Sequence, residues 1–231
     1  LEATFVPLFF LVVTLGFLAH LGFDPGRDFL GDVDKVVDWK GHFWKMWAHS
    51  QALLGNEGHL HSTLEFHPQG MPNLTLHGDL GVTYLAGVFA LFTGIDRAHC
   101  LVALVVILGN AAGGYLLVRL RTGSITGGLV AGLALGFHGV VAWSINSGNV
   151  DYGLWLWSCL YLLSFLRLLE GGGGRHVLLG ALFAALAVLT NFTNILLLPL
   201  FSLTLLVFYF RDLDRARLGR IAALCACIGL L

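Results

Sequence analysis

The chain of 231 residues reads as an all-α polytopic membrane protein. About seven transmembrane helices are expected, with interfacial helices in a long first outer loop. Three observations predict this. Hydrophobic residues make up 57% of the chain against 12% charged, and the mean hydropathy is +0.80. The apolar residues fall in repeated long runs separated by short polar turns, the pattern of successive membrane helices. One stretch of about 75 residues, 22–97, breaks that pattern and is too polar to lie in hydrocarbon. The chain is therefore expected to be a single membrane domain, 1–231, with 22–97 as an extracytoplasmic loop. The first span lacks a small-residue cleavage site and is expected to be a retained anchor. The chain opens without Met and stops inside an apolar run, so it is expected to be truncated at the C-terminus.

Ala3–Leu21 is the first crossing, ended by Pro25 and Gly26 in FDPGRD. An acidic cluster follows, GDVDKVVD at Gly31–Asp38, and then the aromatic, basic stretch WKGHFWKMWAHSQALL at Trp39–Leu54. Helical spacing puts Val36, Trp39, Phe43, Met46, Trp47 and Leu54 on one face and Lys40, Lys45, His49 and Gln51 on the other. That pattern suits a helix lying in the interface with its lysines snorkelling; packing within a small soluble domain would use the same moment. Leu80–Thr93 is apolar but short for a crossing and is expected to be re-entrant or interfacial. The remaining crossings are expected at Ala98–Val118, Ile125–Val141, Gly153–Leu166, Val177–Thr190, Ile195–Phe210 and Ile221–Leu231.

If Leu80–Thr93 does not cross, Arg119, Arg121, Arg167, Arg175, Arg211, Arg215, Arg217 and Arg220 share one side. The opposite short connections, Trp143–Tyr152 and Asn191–Asn194, carry no Lys or Arg. The positive-inside rule puts the arginines in the cytoplasm and the charge-free connections outside. The location expected is the cytoplasmic (inner) membrane, with GGGG at Gly171–Gly174 as an inner hairpin connector. A net charge of −1 gives no case for nucleic acid as a partner. Cys100, Cys159, Cys225 and Cys227 all sit in apolar runs without metal-ligand spacing, as buried small residues do.

The chemistry-bearing residues lie in or beside the long loop. Asp32, Asp34 and Asp38 follow the first span, and a carboxylate at the bilayer surface can take a proton from an acceptor hydroxyl or hold a divalent cation. Either Asp32 or Asp34 equally suits the helix N-cap, the better reading of these residues taken alone. His59, His61, His67 and His77 form no zinc pattern and read as loop residues, with no metal site assigned. Arg27, Lys35, Lys40 and Lys45 can meet a phosphate or anionic headgroups. The sequons Asn73-Leu74-Thr75 and Asn191-Phe192-Thr193 carry little weight, the second lying too near the membrane.

The order of these pieces resembles the GT-C class of polyprenyl-phosphate-sugar-dependent membrane glycosyltransferases, bacterial members of unassigned acceptor in particular. Those pieces are Gly31, Asp32 and Asp34; Trp39, Phe43, Trp44 and Trp47; Ala52, Leu53 and Gly55; and Phe66, Pro68 and Gly70. GYLLVRLRTGS at Gly114–Ser124 and HVLLGALFAALAVLTNFTN at His176–Asn194 continue the series. The resemblance implies a module of seven spanning helices and a first outer loop with interfacial helices and an acidic general base. By that match Asp32 is the base, with Asp34 as its alternate or metal partner. Asp151 matches a second carboxylate brought by another outer connection, though it suits equally the cap of a helix starting at Gly153. His77, Lys35 and Lys40 fall to the donor phosphate. The partners implied are a lipid-linked sugar donor and membrane lipids, with a divalent cation as an open cofactor. Two other readings stay open: a non-catalytic subunit of a larger membrane assembly that keeps this fold, and a transporter or flippase. The latter predicts charged groups or broken helices near the midplane, and few of either are present.

Overall fold

The computed structural model describes residues 2–20, 39–56, 61–62, 71–72 and 80–229. Helices α1 (Glu2–His20) and α2 (Trp39–Leu53) come first, then a two-residue antiparallel bridge of His61–Ser62 with Met71–Pro72. There follow α3 (Leu80–Thr93), α4 (Ile95–Thr122), α5 (Ile125–Gly136), α6 (Gly139–Asn146), α7 (Leu156–Leu169), α8 (Gly174–Thr190), α9 (Asn194–Tyr209) and α10 (Arg215–Gly229). Short 3₁₀ turns lie at Val150–Gly153 and Phe210–Asp212.

Four helical stretches are long and apolar enough to cross a membrane: Glu2–His20, Arg97–Thr122, Ile125–Asn146 and Asn194–Asp212. Among the described residues these four are shown, and the expected seven are not. Two expected crossings form helices of 14 and 17 residues, α7 and α8. At 1.5 Å per residue they reach only about 21 and 26 Å, short of the ~30 Å hydrocarbon layer. The expected Ile221–Leu231 crossing falls within α10 as far as Gly229, and that helix opens on Arg215 and Arg217. The outward faces remain apolar throughout: Leu8 and Val12 of α1, Leu178 of α8 and Leu196, Leu203 and Phe208 of α9 are all exposed.

Local chemistry sets the breaks. Gly94, at φ 83°, is the single residue between α3 and α4, a backbone conformation that favours glycine. It lets α3 fold back alongside the first part of α4. Gly123 ends α4 in the left-handed conformation, donating its N–H to the Arg119 carbonyl. Ser124 then caps α5, its hydroxyl accepting from the Gly127 N–H at 3.0 Å. His138 divides α5 from α6, its Nδ1 accepting from the Val140 N–H at 3.2 Å.

Helix α4 is the central post, packed against α1, α2, α3, α5 and α7. Its first part joins a core made with Leu18, Met46, Val82, Ala86, Val141, Ile145 and Val150. Ala111 and Tyr115, farther along, pack with Val6 and Phe10 of α1. A third core joins α7, α8, α9 and α10 through Tyr161, Phe165, Ala184, Leu198 and Leu224.

The α4–α5 contact is close because Gly128, Gly132 and Gly136 recur every four residues on the buried face of α5. Small residues at that spacing let helix backbones approach where no hydrophobic effect drives association. A Cβ at Gly132 would stand 2.7 Å from the Ala111 carbonyl oxygen and overlap the Phe10 ring. One at Gly114, on the α4 side, would stand 2.6 Å from the Ala131 carbonyl oxygen.

Arginines from three connections meet at one end of the bundle. Arg119 grips the Glu2 carboxylate with Nε at 2.8 Å and Nη2 at 3.1 Å. Arg121 pairs with Glu170 and donates to the Tyr209 hydroxyl at 3.0 Å. Arg217 donates to the Leu169 carbonyl at 3.0 Å, and Arg220 to the carbonyls of Gly171 and Gly172. The helix C-terminal carbonyls left open at this end thereby gain cationic donors. The GGGG hairpin connector thus receives hydrogen bonds from Arg220 of α10.

Gly132→Val is expected to lower stability by about 1–3 kcal/mol through overpacking. Thermal unfolding of the purified protein in detergent checks this, with Gly139→Val, where a Cβ meets nothing within 4 Å, as the tolerated control.

Candidate functional site

The end of the bundle opposite the arginines carries the ends of the long segment. Here α2, α3, the first part of α4, α6 and the Val150–Gly153 turn meet in one core. The connection from α6 to α7 is irregular, and its buried backbone groups find partners inside the protein. Asn110, fully buried on α4, donates its amide N–H to the Gly153 carbonyl. Its Oδ1 accepts from the Trp155 N–H at 2.6 Å. Ser144 donates its hydroxyl to the Asn149 carbonyl, and Ser147 donates to the Ser144 carbonyl at 3.1 Å. The connection that bears the Asp151 turn is thus fastened to the post at Gly153 and Trp155 and to α6 at Asn149.

Helix α2 packs on this end differently from its amphipathic pattern. His49, expected on the polar face, is 2% exposed and stacks on Tyr84 of α3 with ring centroids 4.0 Å apart. Met46, Ala48, Ser50 and Ala52 are buried with it, whereas Trp47 and Leu54 of the expected apolar face are exposed. The reason is α3: Gly87 leaves room for the α2 backbone, and a Cβ there would lie 3.1 Å from Ser50 N. His99 of α4 is also fully buried, beside Phe43 at 5.4 Å between ring centroids. Sequence reasoning missed both buried histidines. For His99 the signal was there, since Val102, Ala103 and Val106 follow it at helical spacing in an apolar run.

Of the residues singled out from sequence, Asp32, Asp34, Lys35 and His77 lie outside the described residues. Lys40 falls in the first turn of α2 and Asp151 in the Val150–Gly153 turn. The capping alternative for Asp151 is corrected by where α7 begins. That helix starts at Leu156 with Trp155 at its N-cap, four residues beyond Asp151. Among the described residues no three His, Cys, Asp or Glu side chains gather as metal ligands do.

A second polar cluster sits where α8 meets α9. The Asn191 amide oxygen accepts from the Thr193 N–H at 2.9 Å and the Thr193 hydroxyl at 2.6 Å. Asn194 donates to the Ala187 carbonyl at 2.8 Å and accepts from Ser158 at 3.2 Å. Asn191 is only 7% exposed and its amide oxygen is engaged within the turn, while Phe192 is exposed, so the sequon reads as a turn rather than a glycan acceptor. Beside it lies a cavity of about 130 Å³ lined by Trp143, Leu154, Trp155 and Leu197. The described part of this end is thus a set of buried polar contacts that hold the α6–α7 and α8–α9 connections.

Asn110→Leu removes both bonds to the turn, leaving a buried carbonyl and a buried N–H unpaired at about 1–3 kcal/mol each. The expected outcome is a lower melting temperature together with faster hydrogen exchange at the Trp155 amide; Asn110→Asp, which keeps the acceptor, is expected to fall between the two.

Comparison of the chain with protein-family models, with curated proteins and with solved structures gives no match.

Proposed function

We propose that this chain is an integral membrane glycosyltransferase that moves a sugar from a polyprenyl-phosphate carrier to an acceptor at the outer face of the cytoplasmic membrane. The observation that carries the reading is one of arrangement. The His20 end of α1 and the start of α2, which flank the acidic cluster in sequence, lie with the anchored Asp151 turn in the half of the bundle away from the arginines. The arginine cluster is at the other end. The ordered series GDVD, the aromatic helix, FHPQG and the Gly114–Ser124 connection supports the same reading through its likeness to GT-C transferases. Fold alone would not distinguish an enzyme from a subunit that keeps the scaffold, so the weight falls on the carboxylates.

In this reading the Asp32 carboxylate takes the proton of the acceptor hydroxyl as its oxygen attacks the anomeric carbon. The bond from that carbon to the phosphate oxygen breaks, and polyprenyl phosphate leaves. Lys35, Lys40 and His77 offset the charge that develops on the leaving phosphate. Asp34 stands as the alternate base and Asp151 as the second carboxylate that orients the acceptor.

Asp32→Asn is expected to lower glycan product in reconstituted membranes by about 10²–10⁴-fold at unchanged expression. The assay follows transfer of radiolabelled sugar from a synthetic polyprenyl-phosphate donor. Product formation equal to wild type would remove Asp32 from the mechanism, and absence of transfer by the wild-type chain would favour the non-catalytic subunit.

A further inference from the structure

The arginine end of the bundle holds a cavity of about 240 Å³ between α7 and α8. Its walls are apolar, from Leu160, Leu163, Leu179 and Phe183, and Arg167, Arg175 and His176 also line it. We propose that this cavity seats an anionic glycerophospholipid, one acyl chain against the apolar walls and the phosphate against Arg175, Arg167 and His176. The inference needs only the membrane character of the chain and stands whether or not the sugar-transfer reading does.

Charge complementarity selects the occupant. The other arginines of the cluster with charged or carbonyl partners are committed: Arg119 to Glu2, Arg121 to Glu170, Arg217 and Arg220 to backbone carbonyls. Arg175 is exposed and makes no hydrogen bond or ion pair among the described residues. Arg167 holds Glu170 and the Leu120 carbonyl only at 3.4 Å each, well beyond the usual length of a charge-assisted bond. Glu170, the carboxylate that pairs with Arg167, is also shared with Arg121. The rim therefore keeps an excess of positive charge next to an apolar hollow. Hydrocarbon fills such a hollow at no cost in buried polar groups, and a phosphate diester supplies the acceptors that guanidinium donors need. A zwitterionic headgroup brings its own cation to the same rim and gains less.

The test uses the purified full chain in detergent, equilibrated with equal amounts of phosphatidylglycerol and phosphatidylcholine, and native mass spectrometry of the lipids retained. The wild type is expected to retain phosphatidylglycerol preferentially. Arg175→Gln is expected to reduce that retention about fivefold with phosphatidylcholine unchanged. Arg215→Gln removes the same charge from the same end of the chain, but from a residue outside this cavity, and is expected to retain the lipid. Leu179→Trp, which fills the hollow, is expected to expel it, with thermal unfolding confirming that the variant is folded. Equal losses in Arg175→Gln and Arg215→Gln would mean a diffuse field in place of a site and overturn the proposal. So would equal retention of both lipids, or displacement of phosphatidylglycerol by an equimolar amount of inorganic phosphate.

Discussion

The Asn110 amide is the interaction on which the upper half of the molecule depends. It lies on α4 about 18 Å from the Thr122 end of that helix, counting 1.5 Å per residue. At that level it accepts from the Trp155 N–H and donates to the Gly153 carbonyl, so that an irregular stretch of backbone can enter the interior. Irregular backbone buried in a protein persists only when its polar groups are satisfied there. The consequence reaches well beyond the turn. Helix α7 starts from that depth and needs only 14 residues to reach the arginine end, while the first part of α4 rises past it. That projecting half-helix is what α2, α3 and α6 pack around.

Two further devices hold the post at the other end. Glycines of α5 admit the α4 backbone closely enough for Ala111 and Phe10 to fill the gap, which sets the depth of α1 as well. The Glu2–Arg119 fork then fixes the start of α1 to the last turn of α4. Partly exposed ion pairs contribute little on their own. Beside them, Arg217 and Arg220 satisfy carbonyls that the end of α7 leaves open.

Much of the helical architecture was legible in the sequence, because long apolar runs and Gly-Ser or Gly-Gly punctuation have one reading in this composition. The Gly123–Ser124 pair ends one helix and starts the next as its residue types require. The bounds of the short apolar segment α3, Leu80–Thr93, were also legible. The irregular start of α7 was not, since hydropathy counts apolar residues and does not register the bonds of Asn110 to Gly153 and Trp155. The burial of His49 was hidden for a related reason. Its helical face looked polar in isolation, and only the partner helix, with Tyr84 and Gly87, turned that face inward. The glycine repeat in α5 was visible at its spacing of four but has meaning only once α4 stands opposite it. The candidate carboxylates show the reverse situation: Asp32 and Asp34 stand out in the sequence through their motif, yet lie outside the described residues.

The account as a whole requires the acidic cluster and the Asp151 turn to share one side of the membrane, opposite the Gly171–Gly174 connection. Single-cysteine variants at Asp32, Asp151 and Gly173, in a background with the four native cysteines replaced, test it with a membrane-impermeant maleimide applied to sealed vesicles. The account predicts that Asp32 and Asp151 label from the same face and Gly173 only from the other. Labelling of Asp32 and Gly173 from one face, with Asp151 protected, would contradict it.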